Sequence, residues 1–280
     1  MHEHRDEFSV RAMCRALKVS SSGYYGWCGR PESTRSREDR RLLMKIRMAH
    51  TRSRGTYGSP RVHEDLREDG ETCGRHRVAR LMRKDGLAGK KRRKFRCTTD
   101  SKHSHAVAPN LFDQDFTVET PDAVWAGDIT YLRTREGWLY LAVLIDLCSR
   151  YVVGWSLSES LEPTVTLRAL ERAVELRRPA SGVIHHSDRG TQYTCPDYRD
   201  ELDRLQMTVS MSRKGNCWDN ASVESFFDSL KTEIDIEVFD TRDDARAAIF
   251  DYIEVFYNRH RRHSSLGYLS PADFERRRAA

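Results

Sequence analysis

The hydrophobic pattern of the chain changes near residue 119. Before residue 88, apolar residues recur at helical spacing, and glycines at positions 58, 70 and 86 interrupt them. After residue 119, apolar runs of strand length alternate with helical segments. The sequence therefore predicts an all-α front part and an α/β domain in which helices flank a mixed sheet.

The front part is predicted to contain three helices within residues 36–88. Short helices joined by tight glycine turns are typical of a helix-turn-helix module, whose last helix reads DNA. That last helix carries the candidate DNA contacts Arg75, Arg77 and Arg80. A three-helix bundle with a purely structural or dimerising role is the alternative.

Two less regular segments flank this module. Residues 1–35 are predicted to form a short helix followed by a turn-rich stretch from Ser20 to Trp27. Residues 89–118 are predicted to be a linker that begins with a basic run, namely Lys90, Lys91, Arg92, Arg93 and Lys94. This run is expected to contact the DNA backbone, which fixes position without reading sequence; a solvated tail is the alternative. His103 and His105 lack a cysteine pair at zinc-finger spacing and are not expected to bind metal.

The segment from residue 119 to residue 236 predicts the element order β-β-β-α-β-α-β-α. The expected strands cover residues 124–132, 138–145, 151–156, 182–186 and 207–212, and the expected helices cover residues 163–177, residues 196–205 and the surroundings of Glu224. The short link Cys148–Arg150 between two strands indicates a hairpin. Residues 237–280 are expected to form a helical extension of this domain.

Three acidic residues are the candidate catalytic and metal-binding groups of this domain. Asp128 lies within the first strand, Asp188 follows the end of the fourth, and 35 residues separate Asp188 from Glu224 on the last helix. Hard divalent cations prefer oxygen ligands, and three carboxylates that a fold gathers could hold two such ions at a phosphodiester. Lys231 lies two helical turns after Glu224 on nearly the same side, where it could hold a substrate phosphate.

Other residues near these acids have competing interpretations. Asp146 is a fourth acid on a strand, and the pattern alone does not separate it from Asp128. His185 and His186 precede the second acid; structural hydrogen bonding is expected for them, and orientation of a water or phosphate is the alternative.

The segments around the last helix and the C-terminus also carry polar and aromatic residues. Asn220 is a natural N-cap for the helix of Glu224, and Trp218 is expected in the core rather than as a base-stacking platform. The basic segment from Tyr257 to His263 could touch DNA, and a docked helix with a basic outer face explains it equally well.

Composition and charge narrow the function classes. The 280 residues carry a net charge of +6, but residues 1–110 hold 27 Lys and Arg against 13 Asp and Glu, a net charge of +14, and the remainder has −8. A basic front half favours phosphate contacts, with a basic solvated surface as the alternative. No apolar run approaches the roughly 18 residues of a membrane helix. The seven cysteines include no CxxC pair, and a cytoplasmic protein is expected.

Asp128, Asp188 and Glu224, together with the residues around them, resemble the catalytic residues of DDE transposases and retroviral integrases. The catalytic domain of those enzymes has an RNase H-like fold. More narrowly, the chain resembles the second-frame (OrfB) product of insertion sequences of the IS-three family over nearly its whole length. The matching motifs are Leu17–Tyr25, Tyr57–His63, Arg77–Met82, Trp125–Tyr131, His186–Tyr193, Gly215–Ala221, Tyr257–Asn258 and His263–Pro271.

The resemblance implies a transposase that cuts double-stranded DNA at the element ends and joins it to a target. It places the catalytic acids on Asp128, Asp188 and Glu224, and the basic residue that follows the glutamate on Lys231. It implies Mg²⁺, with Mn²⁺ as a substitute and two ions per site, and a homo-oligomer on DNA. Association or frameshift fusion with the upstream first-frame product is also expected, since the chain begins where the second frame usually begins.

Two other function classes compete with this interpretation. One is a DNA-binding regulator of transposition with an inactive catalytic domain, which would not need three acids. The other is an RNase H-type nuclease, which would not need the basic, helix-rich first hundred residues.

Overall fold

The computed structural model describes residues 1–91, 108–112, 118–213 and 221–279. Its front part contains the helices α1 (Val10–Ala16), α2 (Ser21–Cys28), α3 (Thr34–Arg52), α4 (Ser59–Glu68) and α5 (Arg75–Lys84). Helices α3, α4 and α5 are the three predicted helices. They pack around an apolar core whose fully buried members include Ile46, Val62, Leu66 and Val78.

Helix α2 occupies the stretch predicted to be turn-rich, so that prediction is wrong. Ser20 caps the helix: its hydroxyl accepts a 3.0 Å hydrogen bond from the Gly23 N–H. The ring of the buried Tyr24 lies 6.4 Å from that of Trp27 in a stacked orientation. A side-chain cap and aromatic packing therefore outweigh the low helix propensity of the glycines.

The α/β domain is built on a five-stranded sheet with the order β3-β2-β1-β4-β5. The strands are β1 (Val124–Thr134), β2 (Gly137–Asp146), β3 (Val152–Ser158), β4 (Ile184–Ser187) and β5 (Thr208–Met211). Strands β1, β2 and β3 pair antiparallel, so the predicted hairpin is confirmed, whereas β4 runs parallel to both β1 and β5. The mixed sheet of the predicted RNase H-like fold is thus present, with β1 at its centre.

Helices cover both faces of this sheet. Helices α6 (Thr164–Arg177) and α8 (Pro196–Arg204) bury one face, in a cluster that includes Trp125, Leu144, Leu170 and Tyr198. Helix α9 (Ala221–Ile234) covers the other face through Val223 and Phe226. A single turn, α7 (Thr191–Thr194), was not expected from the sequence. Gly154 permits the close approach of α6, since a Cβ there would lie 2.2 Å from the Ala169 carbonyl oxygen.

The predicted C-terminal extension is helical and docks on the sheet domain. It comprises α10 (Arg242–Phe250), a π-helical segment (Asp251–Tyr257), a 3₁₀ turn (Ser264–Leu266) and α11 (Pro271–Ala279). The buried Asn258 side chain accepts a 2.9 Å hydrogen bond from the Val152 N–H and donates one of 3.1 Å to the Val152 carbonyl. This pair of bonds fixes the extension to strand β3.

The helix-turn-helix module in turn docks on that extension. The Tyr57 hydroxyl donates to the His260 carbonyl at 3.1 Å and accepts from the Arg262 N–H at 2.7 Å. The Arg262 guanidinium also binds the carboxylates of Asp65 and Glu68 on α4. The buried apolar cluster of α3–α5 is continuous with the core of the sheet domain.

Part of the expected linker packs against the sheet edge instead of spacing two domains. The Leu111 N–H donates to the Ser210 hydroxyl at 3.1 Å, and the Met211 N–H donates to the Pro109 carbonyl at 3.3 Å. The remaining candidates of the linker and of the segment before α9 lie outside the described residues: Arg92, Arg93, Lys94, His103, His105, Trp218 and Asn220. Within the described chain, no helix has both the length and the apolar character to cross a bilayer.

Candidate active site

Two of the predicted acids come together through strand register. Strand β4 ends at Ser187, which pairs with Gly127 of β1 in the parallel ladder. The next residues are Asp128, within β1, and Asp188, directly after β4, so they lie on neighbouring segments that continue strands paired about 4.8 Å apart. The Asp128 carboxylate accepts a 2.7 Å hydrogen bond from the Ile129 N–H, and that of Asp188 accepts one of 2.9 Å from the Gly190 N–H.

Helix α9 brings the third acid toward this pair. The helix packs on β1, with Val223 and Phe227 buried and Glu224 half-buried. Burial raises the pKa of Asp128 well above its usual range, and the charges of Asp188 and Glu224 raise it further. Burial also raises the pKa of Glu224, with a contribution from Asp228. The charges of Asp188 and Glu224 therefore reach Asp128, and its carboxyl group holds its proton more firmly than an ordinary aspartate does.

The three carboxylates do not form a complete metal-binding site in this structure. Among the described residues, no three His, Cys, Asp or Glu side chains lie close enough to hold one metal ion. The donor set is nevertheless all oxygen, which is what hard divalent cations prefer. Like charges at close range in a partly buried site also need a cation to compensate them. The chemistry of these residues thus fits a divalent ion.

Lys231 lies where the helical spacing predicts, near the acids. Its side chain is half-buried, not an ordinary exposed lysine. Burial lowers the pKa of Lys231, and the charges of Asp228 and Asp128 oppose that shift. The ammonium group in turn favours the ionised form of Asp128. A cation therefore stands at the edge of the acidic site.

Gly127 is a residue of the site that the sequence reasoning missed. A Cβ at this position would lie 3.0 Å from a Leu144 methyl carbon and 3.3 Å from the Tyr193 ring. A larger residue would require the Leu144 and Tyr193 side chains to shift by a few tenths of an ångström, so glycine favours this close packing of β1 on the layer beneath it. Asp128 is the next residue. The signal was present in the motif Trp125–Tyr131, where the glycine directly precedes the acid.

The two histidines before Asp188 are structural, in agreement with the expectation. The His185 ring nitrogen Nε2 and the Tyr198 hydroxyl share a 2.8 Å hydrogen bond. Burial, with a smaller effect from His186, lowers the pKa of His185 to about 3, so its ring is neutral at physiological pH. The His186 Nδ1 atom hydrogen-bonds to the Ser210 hydroxyl at 2.9 Å.

Asp146, the competing acid, also has a structural role. Its carboxylate accepts hydrogen bonds from the Asp122 N–H at 2.6 Å, the Ser149 N–H at 2.7 Å and the Ser149 hydroxyl at 2.9 Å. The side chain is completely buried and shapes the turn between β2 and β3. The structure thus separates Asp146 from Asp128, which the pattern alone did not.

The candidate DNA contacts differ in their surroundings. Arg75 and Lys91 are exposed. Arg77 and Arg80 bind the same carboxylate on α3, since each donates to Asp39, at 2.7 and 2.6 Å. Lys90 donates to the carbonyl of residue 233 at the end of α9 at 3.0 Å. Internal ion pairs and hydrogen bonds therefore already engage three of these side chains.

The basic C-terminal segment turns mostly inward. Arg261 is only 4% exposed, and its guanidinium pairs with Glu233 at 2.7 Å. Arg262 binds α4, as described above, and Tyr257 packs edge-on against Phe226 at 4.8 Å. The sequence left two interpretations of this segment open, DNA contact and a docked helix. These side chains agree with the docked helix.

The sequence matches three family models. Residues 118–217 and 205–271 match models described as integrase core domain, and residues 36–95 match one described as HTH-like domain. A transposase InsF for insertion sequence IS3A of Escherichia coli (strain K12) is 47% identical over 283 residues, with 100% of this chain and 98% of the relative covered. A 31 kDa protein of insertion element IS600 of Shigella sonnei is 47% identical over 263 residues, with 94% and 97% covered. These matches confirm the resemblance found in the sequence.

Two solved structures also match parts of the chain. The HTLV-2 integrase catalytic core domain in complex with magnesium has a TM-score of 0.43 and 15% identity, covering 55% of this chain and 96% of that one. The catalytic domain of Mos1 mariner transposase has a TM-score of 0.42 and 19% identity, covering 48% and 71%.

Proposed function

The chain belongs to the IS3-type family of insertion-sequence transposases, which carry an integrase core, and on that premise we propose that Asp128, Asp188 and Glu224 form its catalytic site. The reaction is cleavage of a phosphodiester at an element end, which frees a 3′-hydroxyl. Attack of that hydroxyl on a second phosphodiester then joins the element to its target.

The parallel register of β1 and β4 is the observation that carries this proposal. It sets Asp128 and Asp188 side by side, and the packing of α9 on β1 directs Glu224 toward them. The charge effect of both neighbours on the pKa of Asp128 supports the same grouping. Asp128 lies on β1, Asp188 directly after β4 and Glu224 on α9, and like charges in one partly buried region destabilise a fold unless a cation compensates them.

The acids are proposed to hold Mg²⁺, with Mn²⁺ as a substitute and two ions per site. When bound, such ions stabilise charge on the attacking and leaving oxygens of a phosphodiester. Asp128 would hold the ion in its ionised form, after loss of the proton that its raised pKa retains, and Asp188 and Glu224 would supply the other carboxylate oxygens. Lys231 holds a phosphate oxygen of the DNA beside them, because an ammonium group is a compact point charge suited to phosphate.

The partner is double-stranded DNA, both element ends and target, bound by a homo-oligomer. The exposed Arg75 and Lys91 contact its backbone from the helix-turn-helix side. Arg77 and Arg80 mainly hold the module together, and Lys90 mainly ties it to the end of α9. Arg92, Arg93 and Lys94 extend the same basic run. The first-frame product remains a proposed partner or fusion segment.

Cleavage of a labelled duplex that carries an element end tests the proposal. Asp188→Asn removes one ligand, so product should fall below about a thousandth of the wild-type amount in Mg²⁺ or Mn²⁺, while duplex binding stays within about twofold. The matched control is Asp203→Asn, an exposed aspartate on α8 that should cleave normally. Comparable cleavage by Asp188→Asn and wild type would remove Asp188 from the site.

A further inference from the structure

The C-terminal extension contacts helix α9 on the side that faces away from Glu224. Its contacts on the helix include three side chains, Phe226, Ser229 and Glu233. At about 3.6 residues per turn, these three lie within about 40° of the direction opposite Glu224. Contacts on that side limit how far the helix can turn about its own axis. Such a rotation would move Glu224 away from the other two acids.

Arg261 is the polar centre of these contacts. Its guanidinium donates to both carboxylate oxygens of Glu233 at 2.7 to 3.0 Å and to the Ser229 hydroxyl at 3.1 Å. Glu233 lies four residues after Ser229, so the guanidinium spans two adjacent turns of the helix. It also lies 5.6 Å from the centre of the Tyr257 ring, which meets the Phe226 ring edge-on at 4.8 Å. Arg261 therefore fixes both the rotation and the axial position of α9.

The ion pair between Arg261 and Glu233 is better suited to setting a geometry than to adding stability. The two side chains are only 5% and 7% exposed. Desolvation of two buried charges offsets much of their attraction, so such a pair adds little stability over apolar side chains of similar size. A planar guanidinium binds a carboxylate well only when both are aligned, and a displaced helix would leave two buried charges poorly paired. The pair therefore disfavours other orientations of α9.

The residues beside Arg261 are anchored to other parts of the protein. The Tyr57 hydroxyl of the helix-turn-helix module binds the backbone of His260 and Arg262. The Asn258 side chain is hydrogen-bonded to the backbone of β3. Strand β3 belongs to the sheet that carries the first acid, so Arg261 holds α9 relative to that sheet.

We propose that Arg261 is a positioning residue of the catalytic site. Through Ser229 and Glu233 it holds helix α9 in the orientation that directs Glu224 toward the other two acids. Metal sites accept ligand distances only within about 0.2 Å of their preferred values, so a small rotation of the helix is enough to weaken metal binding. The inference rests on the proposed function, because the orientation of α9 matters for catalysis only if Glu224 is a metal ligand.

Arg261→Lys tests this role, and Arg177→Lys is the matched control. Lysine keeps the positive charge, but a single ammonium group does not reproduce the planar fork that binds two side chains at once. Arg177 is also a half-buried arginine that binds two side chains, the carboxylates of Asp122 before β1 and Glu275 on α11. Both variants should melt at a lower temperature than the wild type, so the comparison separates positioning from stability.

The dependence on Mn²⁺ should differ between the two variants. For Arg261→Lys, the Mn²⁺ concentration that gives half-maximal cleavage should rise roughly tenfold, the lower end of the effect of residues that orient metal ligands. The increase in melting temperature on Mn²⁺ addition should shrink as well, and this readout needs no reaction. Arg177→Lys should keep the wild-type values of both quantities. Duplex binding in EDTA should be unchanged in both variants.

Wild-type Mn²⁺ responses in Arg261→Lys would make Arg261 a structural residue and overturn the proposal. If Arg261→Lys does not fold, Ser229→Ala decides instead, because it removes one hydrogen bond of the guanidinium and a single oxygen atom. An unchanged Mn²⁺ response in Ser229→Ala would then overturn the positioning role. Glu224→Gln tests the proposed function separately, since it should abolish cleavage; normal cleavage by that variant would overturn the catalytic site itself.

Discussion

Asp128 and Asp188 lie side by side because β1 and β4 pair in parallel one residue earlier, at Gly127 and Ser187. This register places two like charges next to each other where burial already disfavours ionisation. The pKa of Asp128 is raised well above its usual range as a result, first by burial and then by Asp188 and Glu224. The metal-free site is therefore electrostatically unfavourable, and this has consequences for stability.

Asp128→Asn should stabilise the metal-free protein at neutral pH. Since the folded-state pKa is raised, the folded protein holds more protons than the unfolded chain above about pH 3.9, and stability falls as pH rises through the folded-state pKa. Asparagine does not ionise, so the variant does not lose stability at this position as pH rises. The melting temperature of the variant should exceed that of the wild type by a few degrees near pH 7 and by nothing near pH 3.

Metal addition gives the matching control for this prediction. Mg²⁺ or Mn²⁺ should raise the melting temperature of the wild type, because a ligand that binds only the folded state stabilises it. The same addition should leave Asp128→Asn nearly unchanged. If Asp128→Asn melts at a lower temperature than the wild type at pH 7 without metal, the charge of Asp128 does not destabilise the folded protein.

Local sequence pattern predicted most elements of this fold, because periodicity and glycine turns act within a few residues. Strand β1 and helix α9 were predicted, and with them the placement of Asp128 at the sheet centre and Glu224 off the apolar face. Helix α7 was missed because one turn, Thr191–Thr194, is too short to show a period. Helix α2 was missed because its cap, Ser20, stabilises a segment that glycines make look like a turn.

Contacts between distant segments could not be predicted in this way. Arg262 binds Asp65 across 197 residues, and Arg77 binds Asp39 across 38, so neither pair leaves a local pattern. The first pair docks the helix-turn-helix module on the C-terminal extension. The second changes the role of an arginine that looked like a DNA contact.

Asp146 should matter for stability and not for chemistry. Replacement by alanine leaves the N–H groups of Asp122 and Ser149 without their acceptor, at a cost of about 1–3 kcal/mol for the buried Ser149 donor and less for the partly buried Asp122 donor. Asp146→Ala should lower the melting temperature by several degrees, and Asp146→Asn, which keeps one acceptor oxygen, should lower it less. Cleavage per folded molecule, measured well below the melting temperature, should equal that of the wild type; loss of cleavage in a folded Asp146→Asn would contradict this assignment.

Substitutions of Arg75 and Arg77 on helix α5 should have different effects, because one side chain is expected to contact DNA and the other packs within the protein. Arg75 is exposed, so Arg75→Gln should weaken duplex binding and lower the salt slope by about 0.9 without affecting stability. Arg77 binds Asp39 and Glu38, so Arg77→Gln should cost up to about 1 kcal/mol of stability and leave the salt slope at the wild-type value. Salt titrations and melting curves on the same preparations measure both effects. The reverse assignment of effects would place Arg77, not Arg75, against the DNA.

Lys231 should act on both the DNA and the acid beside it. Lys231→Met keeps the aliphatic stem of this half-buried side chain and removes its charge, so stability should change by less than about 1 kcal/mol. Strand transfer at saturating DNA should fall roughly 100-fold, the usual effect of losing one group that stabilises transition-state charge.

Because the Lys231 charge favours ionised Asp128, the Lys231→Met variant should also raise the pKa of Asp128 further. The acidic limb of the pH–rate profile should therefore move to higher pH, which a loss of packing alone would not produce. The transfer rate should be measured from pH 5 to pH 9 for the wild type, Lys231→Met and Lys231→Arg. If the charge of Lys231 is what matters, arginine should restore the acidic limb to its wild-type position. An unshifted limb together with an unchanged rate would make Lys231 a structural side chain of helix α9.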